Sequence, residues 1–434
     1  MTNSGLAAHT IVEVFPQSAP QCDIHTVSFS PCGTLLAAGD SRGIIRLVCV
    51  GTALGQQNEW TQKEPDALPS FQKNHDGGSK ATIKSLAFTP AAVYLGSDPR
   101  QEARVYLAVG LGNGEVHFVP YDSVDVKTDG ERNVTQRDHY FGSNRVLHGG
   151  RKSSPETWSL NKFFTNMPKK TCEVYSVTFQ QSNLHARPVQ MAIGTSHGFV
   201  VISLQASGKP TEPKLHLHSF STRGGVPDGQ AEEYGLRGRD QVGDDTNEVF
   251  GTTVRSVAFS PHATRLAFGG GTDSGSLYVV SMKDRKIIHM FSFKMRVFAV
   301  AFSHDGTKLC GAGESQRASV YDAVGGSLLY EVQCEARIYS VQFSNDDMML
   351  AIASRDKTVM LVDARHDREL DTSSRTEFFK VVRAEAARCV TFAPGNDTRL
   401  AFGSSDGGVA ITQVARSIHL WHRPFRPFVH WFSY

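Results

Sequence analysis

One motif recurs along this chain with too little variation to be accidental. Seven short apolar bursts each end in phenylalanine: DIHTVSF at Phe29, TIKSLAF at Phe88, EVYSVTF at Phe179, TVRSVAF at Phe259, RVFAVAF at Phe302, RIYSVQF at Phe343 and AARCVTF at Phe392. Two residues before each Phe stands Val or Leu, and five before stands an aliphatic residue, with Ala387 the weakest copy. A six-residue run rich in Val and Phe and followed by turn residues reads as a buried strand, since a helix needs a longer segment with a period of 3.6. The intervening positions are small. Three before the Phe come Thr26, Ser85, Ser176, Ser256, Ala299, Ser340 and Cys389; one before come Ser28, Ala87, Thr178, Ala258, Ala301, Gln342 and Thr391. Side chains alternate along a strand, so large residues are expected on one face and small ones on the other. Strands arranged radially about an axis need that asymmetry, because their backbones crowd at the centre.

The segment after each Phe repeats as well. SPCGTLLAAG, SPHATRLAFGG, SHDGTKLCGAG, SNDDMMLAIAS and APGNDTRLAFGS each place Pro, Asp, Asn or Gly in a turn and then a second apolar run. A tight polar turn and a third run come next, such as SRGIIRLVCV, GNGEVHFVPYD and RDKTVMLVD. Fourth strands are expected at KLHLHSF (214–220), KIIHMFSF (286–293), SLLYEVQ (327–333) and EFFKVVR (377–383). The successive spacings Phe259–Phe302, Phe302–Phe343 and Phe343–Phe392 are 43, 41 and 49 residues, about the length of a four-stranded propeller blade. The expected fold is all-β: a seven-bladed β-propeller of four-stranded antiparallel blades, over residues 9–415, with long surface insertions.

The units resemble WD repeats. Residues 338–365 carry the resemblance best, with the SNDD turn, Asp356 in the tight turn between second and third strands, and Val362-Asp363-Ala364-Arg365 where that family has W-D. Elsewhere the place is held by Tyr321-Asp322 and Tyr121-Asp122, so no unit keeps the Trp. The resemblance implies that an N-terminal strand completes the last blade. HTIVEVF (9–15) is the favoured segment for that slot, and SIHLWH (417–422) competes for it.

Three stretches break the rhythm: 51–80, 123–170 and 221–250, rich in charge, Gly and turn residues. They are expected to hang from the disc edge as loops. They are either tolerated insertions or docking segments, the second reading being prompted by Ser153, Ser154 and the basic run around Arg151. The tail, 416–434, concentrates Trp421, Phe425, Phe428 and Trp431 among His and Arg. It suits packing on the rim, docking on a partner, or contact with a membrane interface.

Chemistry-bearing motifs are missing from the sequence. There is no HExxH, GxxxxGK[ST], GxSxG or EF-hand spacing. GGGTDSG (269–275) joins two expected antiparallel strands, whereas phosphate-cradling loops lead into a helix. His216 and His218 could share a strand face, but no third metal ligand accompanies them. Neither an enzyme nor a cofactor is expected. The seven cysteines show no CxxC pair, which points to buried thiols in a reducing, cytoplasmic compartment. The N-terminus shows no secretory signal, and no run of 18 apolar residues occurs. With 45 Lys and Arg against 43 Asp and Glu, no global field favours nucleic acid.

Binding to other proteins is the remaining expectation, as a scaffold in a multiprotein assembly. The residue four before each Phe opens the innermost strand and is expected at one mouth of the central channel: His25, Lys84, Tyr175, Arg255, Phe298, Tyr339 and Arg388. Aromatic and guanidinium groups dominate interface hot spots; the alternative is packing between blades. Some WD-repeat proteins dock on a cullin-RING ubiquitin ligase adaptor through W-D-x-R. Asp363 and Arg365 stand in a similar motif without its Trp, which makes a substrate receptor the second expectation. A membrane-adjacent or lipid-binding propeller is the third, supported by the tail alone, because the paired-Arg F-R-R-G motif of the phosphoinositide-binding propellers is absent.

Overall fold

Innermost strands touch in an unbroken cycle, each with the next and the seventh with the first, so the chain closes a ring of seven antiparallel sheets. The structure is a computed structural model that describes residues 11–15, 22–50, 82–96, 103–126, 136–141, 156–159, 172–180, 188–206, 213–217, 253–271, 275–284, 286–365 and 377–414. The seven inner strands are Ile24–Phe29, Ile83–Phe88, Val174–Phe179, Val254–Phe259, Val297–Phe302, Ile338–Phe343 and Ala387–Ala393. They coincide with the Phe-terminated bursts, and the fold is the expected seven-bladed β-propeller. Outer strands are found at Lys214–Leu217, Ile287–Ser292, Leu328–Gln333 and Glu377–Val382, inside the four segments anticipated for them. Blade 1 has three strands among the described residues. GGGTDSG joins Arg265–Gly270 to Ser276–Ser281 as an antiparallel pair.

Ring closure falls to the N-terminal strand: Ile11–Phe15 pairs antiparallel with Val409–Gln413 as the fourth strand of blade 7. The competing segment 417–422, like the rest of the tail, lies outside the described residues, as do 51–80 and 221–250. The stretch 123–170 differs in part from the loop expected there. The third strand of blade 2 runs on to Val126, Gln136–Phe141 pairs with its far half, and Glu156–Ser159 pairs with its near half. Trp158 thereby lies against Phe118, ring centroids 4.7 Å apart, and covers the blade edge. A four-residue strand inside a charged segment carries no periodicity, and its pairing is set by the neighbour it covers.

The core is a set of wedges, one per seam between blades. Among the described residues seven buried apolar clusters occur, and each unites residues of two adjacent blades. In each seam the aliphatic residue that opens an inner strand packs onto the second strand of the preceding blade. Close approach there demands small residues. A Cβ on Gly403 would lie 2.5 Å from the Ile24 methyl, and one on Gly269 would lie 2.5 Å from Val297. Ala353 takes the equivalent register position where the opposing residue is the short Ala387.

Candidate functional site

All seven inner strands carry the same irregularity. Register against the second strand slips between the residues five and three before the Phe: Ile24/Thr26, Ile83/Ser85, Val174/Ser176, Val254/Ser256, Val297/Ala299, Ile338/Ser340 and Ala387/Cys389. The extra residue in each bulge is the one four before the Phe. A bulge re-aims the side chain it carries. Straight alternation would send this residue to the same face as the buried Val and Phe. The bulge returns the residue before it to that buried set and turns the extra one to the channel. Residues five and two before the Phe are buried in every blade, while the bulged residue is half-buried in every blade.

His25, Lys84, Tyr175, Arg255, Phe298, Tyr339 and Arg388 therefore form one continuous ring. The Arg255 guanidinium carbon lies over Tyr175 at 4.9 Å from the ring centroid and over Phe298 at 5.5 Å. Phe298 stacks on Tyr339 with centroids 6.0 Å apart, and Arg388 lies over Tyr339 at 4.6 Å. Contacts of this kind contribute about 0.5–1 kcal/mol each at exposed positions. Arg388 is anchored further: its Nη2 donates to Asp23 at 2.9 Å and its Nε to Ser405 Oγ at 2.8 Å. Tyr175 donates its hydroxyl to Glu173 at 2.7 Å. Asp23 and Glu173, six residues before their Phe, are members of the site that composition did not flag; their signal is the recurrence of that position just outside the ring.

Burial at the mouth shifts the titration of His25, Lys84 and Tyr175, and neighbouring charges modify it. Burial lowers the His25 pKa to about 4, and the neighbouring charges of Lys84 and Arg388 add to the effect, while Asp23 and Asp40 oppose it. Burial also lowers the Lys84 pKa, with Arg388 and Arg255 contributing and Glu173 opposing. Burial and the hydrogen bond to Glu173 push the Tyr175 hydroxyl up to about 12.

The opposite end of the channel has a different, uncharged inner lining. Thr178, Ala258, Ala301 and Gln342, contributed by four blades, line a cavity of about 240 Å³. Arg365 lies at this end, beyond the third strand Thr358–Asp363, and so on the face opposite the ring. Its backbone N–H and its Nε donate to the buried Asp363 carboxylate at 2.9–3.1 Å, and Asp363 is only 3% exposed. Trp421, Phe425, Phe428 and Trp431 lie outside the described residues. No group of three or more His, Cys, Asp or Glu that could hold a metal occurs among the described residues. No helix among them is long and apolar enough to cross a membrane.

Comparison with known proteins agrees with this architecture. The family model described as "WD domain, G-beta repeat" matches residues 11–48 and 326–363. Both matches begin at an outer strand, Ile11–Phe15 and Leu328–Gln333, and continue through the first three strands of the next blade. The repeat in sequence is thus offset by one strand from the blade in space, which is why the first strand of the chain serves the last blade. The WD repeat-containing protein SL1-17 of Schistosoma mansoni is 30% identical over 113 residues. That match spans 26% of this chain and 37% of the relative.

Proposed function

Since the chain belongs to the WD-repeat β-propellers, whose general work is to hold other proteins together, we propose that it is a non-catalytic scaffold that engages a partner protein through the channel-mouth ring. One observation carries this reading: the seven bulges gather three aromatic and four basic side chains from seven separate blades onto one half-exposed annulus. Residues at the centre of a seam are buried, whereas these keep solvent access, and they are of the types that dominate interface energetics. The adaptor reading rests on Arg365, whose Nε is committed to Asp363, so the ring is the better supported surface. A reducing, cytoplasmic setting suits the thiols of Cys22, Cys172, Cys310, Cys334 and Cys389, all buried.

The test is affinity purification with mass spectrometry of the full chain beside Arg255→Ala combined with Tyr339→Ala. The double variant is expected to lose the captured partners and to keep its melting temperature within a few degrees. Retention of the same partners would overturn the reading. So would a collapse of folding, which would make these positions core.

A further inference from the structure

Three residues of the ring carry a permanent positive charge, and two of them have a carboxylate nearby. Arg388 pairs with Asp23 at 2.9 Å, and Lys84 faces Glu173. His25 stays neutral near pH 7. Arg255 differs. Tyr175 and Phe298 lie against its guanidinium, and among the described residues it has neither a carboxylate nor any hydrogen-bond acceptor. Its Nε is buried without an acceptor. With aromatic rings against the group and its Nε enclosed, an acceptor from outside meets the two Nη groups end-on in the guanidinium plane, an approach by which a carboxylate pairs bidentately.

We propose that Arg255 is the receptor for one side-chain carboxylate, Asp or Glu, of an extended partner segment laid across the mouth, with the Phe298–Tyr339 stack receiving the apolar residue beside it. This deepens the ring reading and rests on it. The single charge of one guanidinium sets the ligand: a monoanionic carboxylate balances it with two coplanar oxygens, and a phosphate dianion exceeds it.

A positional-scanning array of C-terminally amidated hexapeptides, in which side chains supply the only carboxylates, tests this on the full chain. Retained peptides are expected to require Glu or Asp, with Glu→Gln or Asp→Asn exchange lowering the signal at least tenfold. Arg255→Gln is expected to erase the acidic preference. Arg255→Lys keeps the charge without the fork and is expected to retain a weakened preference, which separates loss of the receptor from loss of fold; near-UV circular dichroism checks both variants. Sodium acetate is expected to compete better than inorganic phosphate at equal ionic strength. Neutral or basic peptides retained in a manner that depends on Arg255 and Tyr339 would overturn the carboxylate and leave the ring standing. An acidic preference that survives Arg255→Gln, or stronger competition by phosphate, would each overturn the assignment. An array that retains nothing would overturn it too, with the ring then judged by partner capture from the double variant.

Discussion

The two ends of the central channel are made by the same seven strands and share almost nothing chemically. Where the strands begin, a ring of His25, Lys84, Tyr175, Arg255, Phe298, Tyr339 and Arg388 crowds the mouth. Where they finish, roughly 10 Å away at the rise of an extended strand, Thr178, Ala258, Ala301 and Gln342 surround a cavity of about 240 Å³. The bulge near the start of each strand makes the difference. It frees one residue per blade from the packing that governs its neighbours, and that residue alone varies widely in size and charge. Stability and recognition are thereby divided between adjacent positions of one strand.

The sharpest way to break that division is to overfill the seam against one inner strand and, separately, to strip that strand's ring position. Val297 and Val300 pack where a Cβ on Gly269 would lie 2.5 and 2.8 Å from their methyls; Phe298, between them, faces the mouth. Gly269→Val is expected to destabilise by about 3 kcal/mol or more through overpacking, read as a fall in the urea midpoint. Phe298→Ala is expected to move that midpoint far less. Equal losses would mean that the ring residue is core after all.

A pH series sharpens the same contrast from the other side. Folded His25 binds its proton only near pH 4, against 6.5 for the ordinary side chain. Between those values the unfolded chain holds more protons, so stability falls as pH falls. By pH 5 the wild type should lose about 2 kcal/mol relative to His25→Gln, with no gap between them at pH 8. Parallel acid limbs for the two proteins would show that this imidazole is not held away from water, nor pressed by Lys84 and Arg388, and the ring would then be looser than its distances suggest.

Much of this was legible in advance because a sevenfold repeat averages out local noise. Val27, Val177 and Val341 mark seam positions; Phe29, Phe179 and Phe343 end the strands; and the fourth strands at 287–292 and 328–333 announce themselves by Ile, Leu and Val. Even the bulge leaves a trace: buried residues are spaced three and then two apart, as in Ile24, Val27 and Phe29, where an unbroken strand would space them evenly by two. Glu156–Ser159 was not legible, since its strand character comes from the blade edge it covers and not from its own four residues. Nor was the pairing of Arg388 with Asp23, which joins residues 365 positions apart across the closure of the ring.

The small residues three before each Phe were attributable to crowding alone, and the structure adds a second reason that predicts the smallest effect. In five seams a hydroxyl at this position accepts the backbone N–H two before the Phe of the next blade. Thr26 accepts from Leu86, Ser85 from Val177, Ser176 from Val257, Ser256 from Val300 and Ser340 from Val390, at 3.3, 2.9, 3.4, 3.0 and 3.3 Å. A net hydrogen bond contributes about 1 kcal/mol, and weakens with length. Ser85→Ala, at the shortest and most buried of these, should cost about 1 kcal/mol; Ser176→Ala, at the longest, should cost a few tenths. Ala299 holds the blade 5 position with no hydroxyl at all, so a propeller seam survives without the bond, and neither change should cost more than a fraction of what Gly269→Val does. If the two serine variants cost the same by urea denaturation, the hydroxyls are passive fillers and crowding suffices; if Ser85→Ala alone is costly, each strand is also tied to the next around the axis at the level just below the ring, and the mouth rests on a bonded hub.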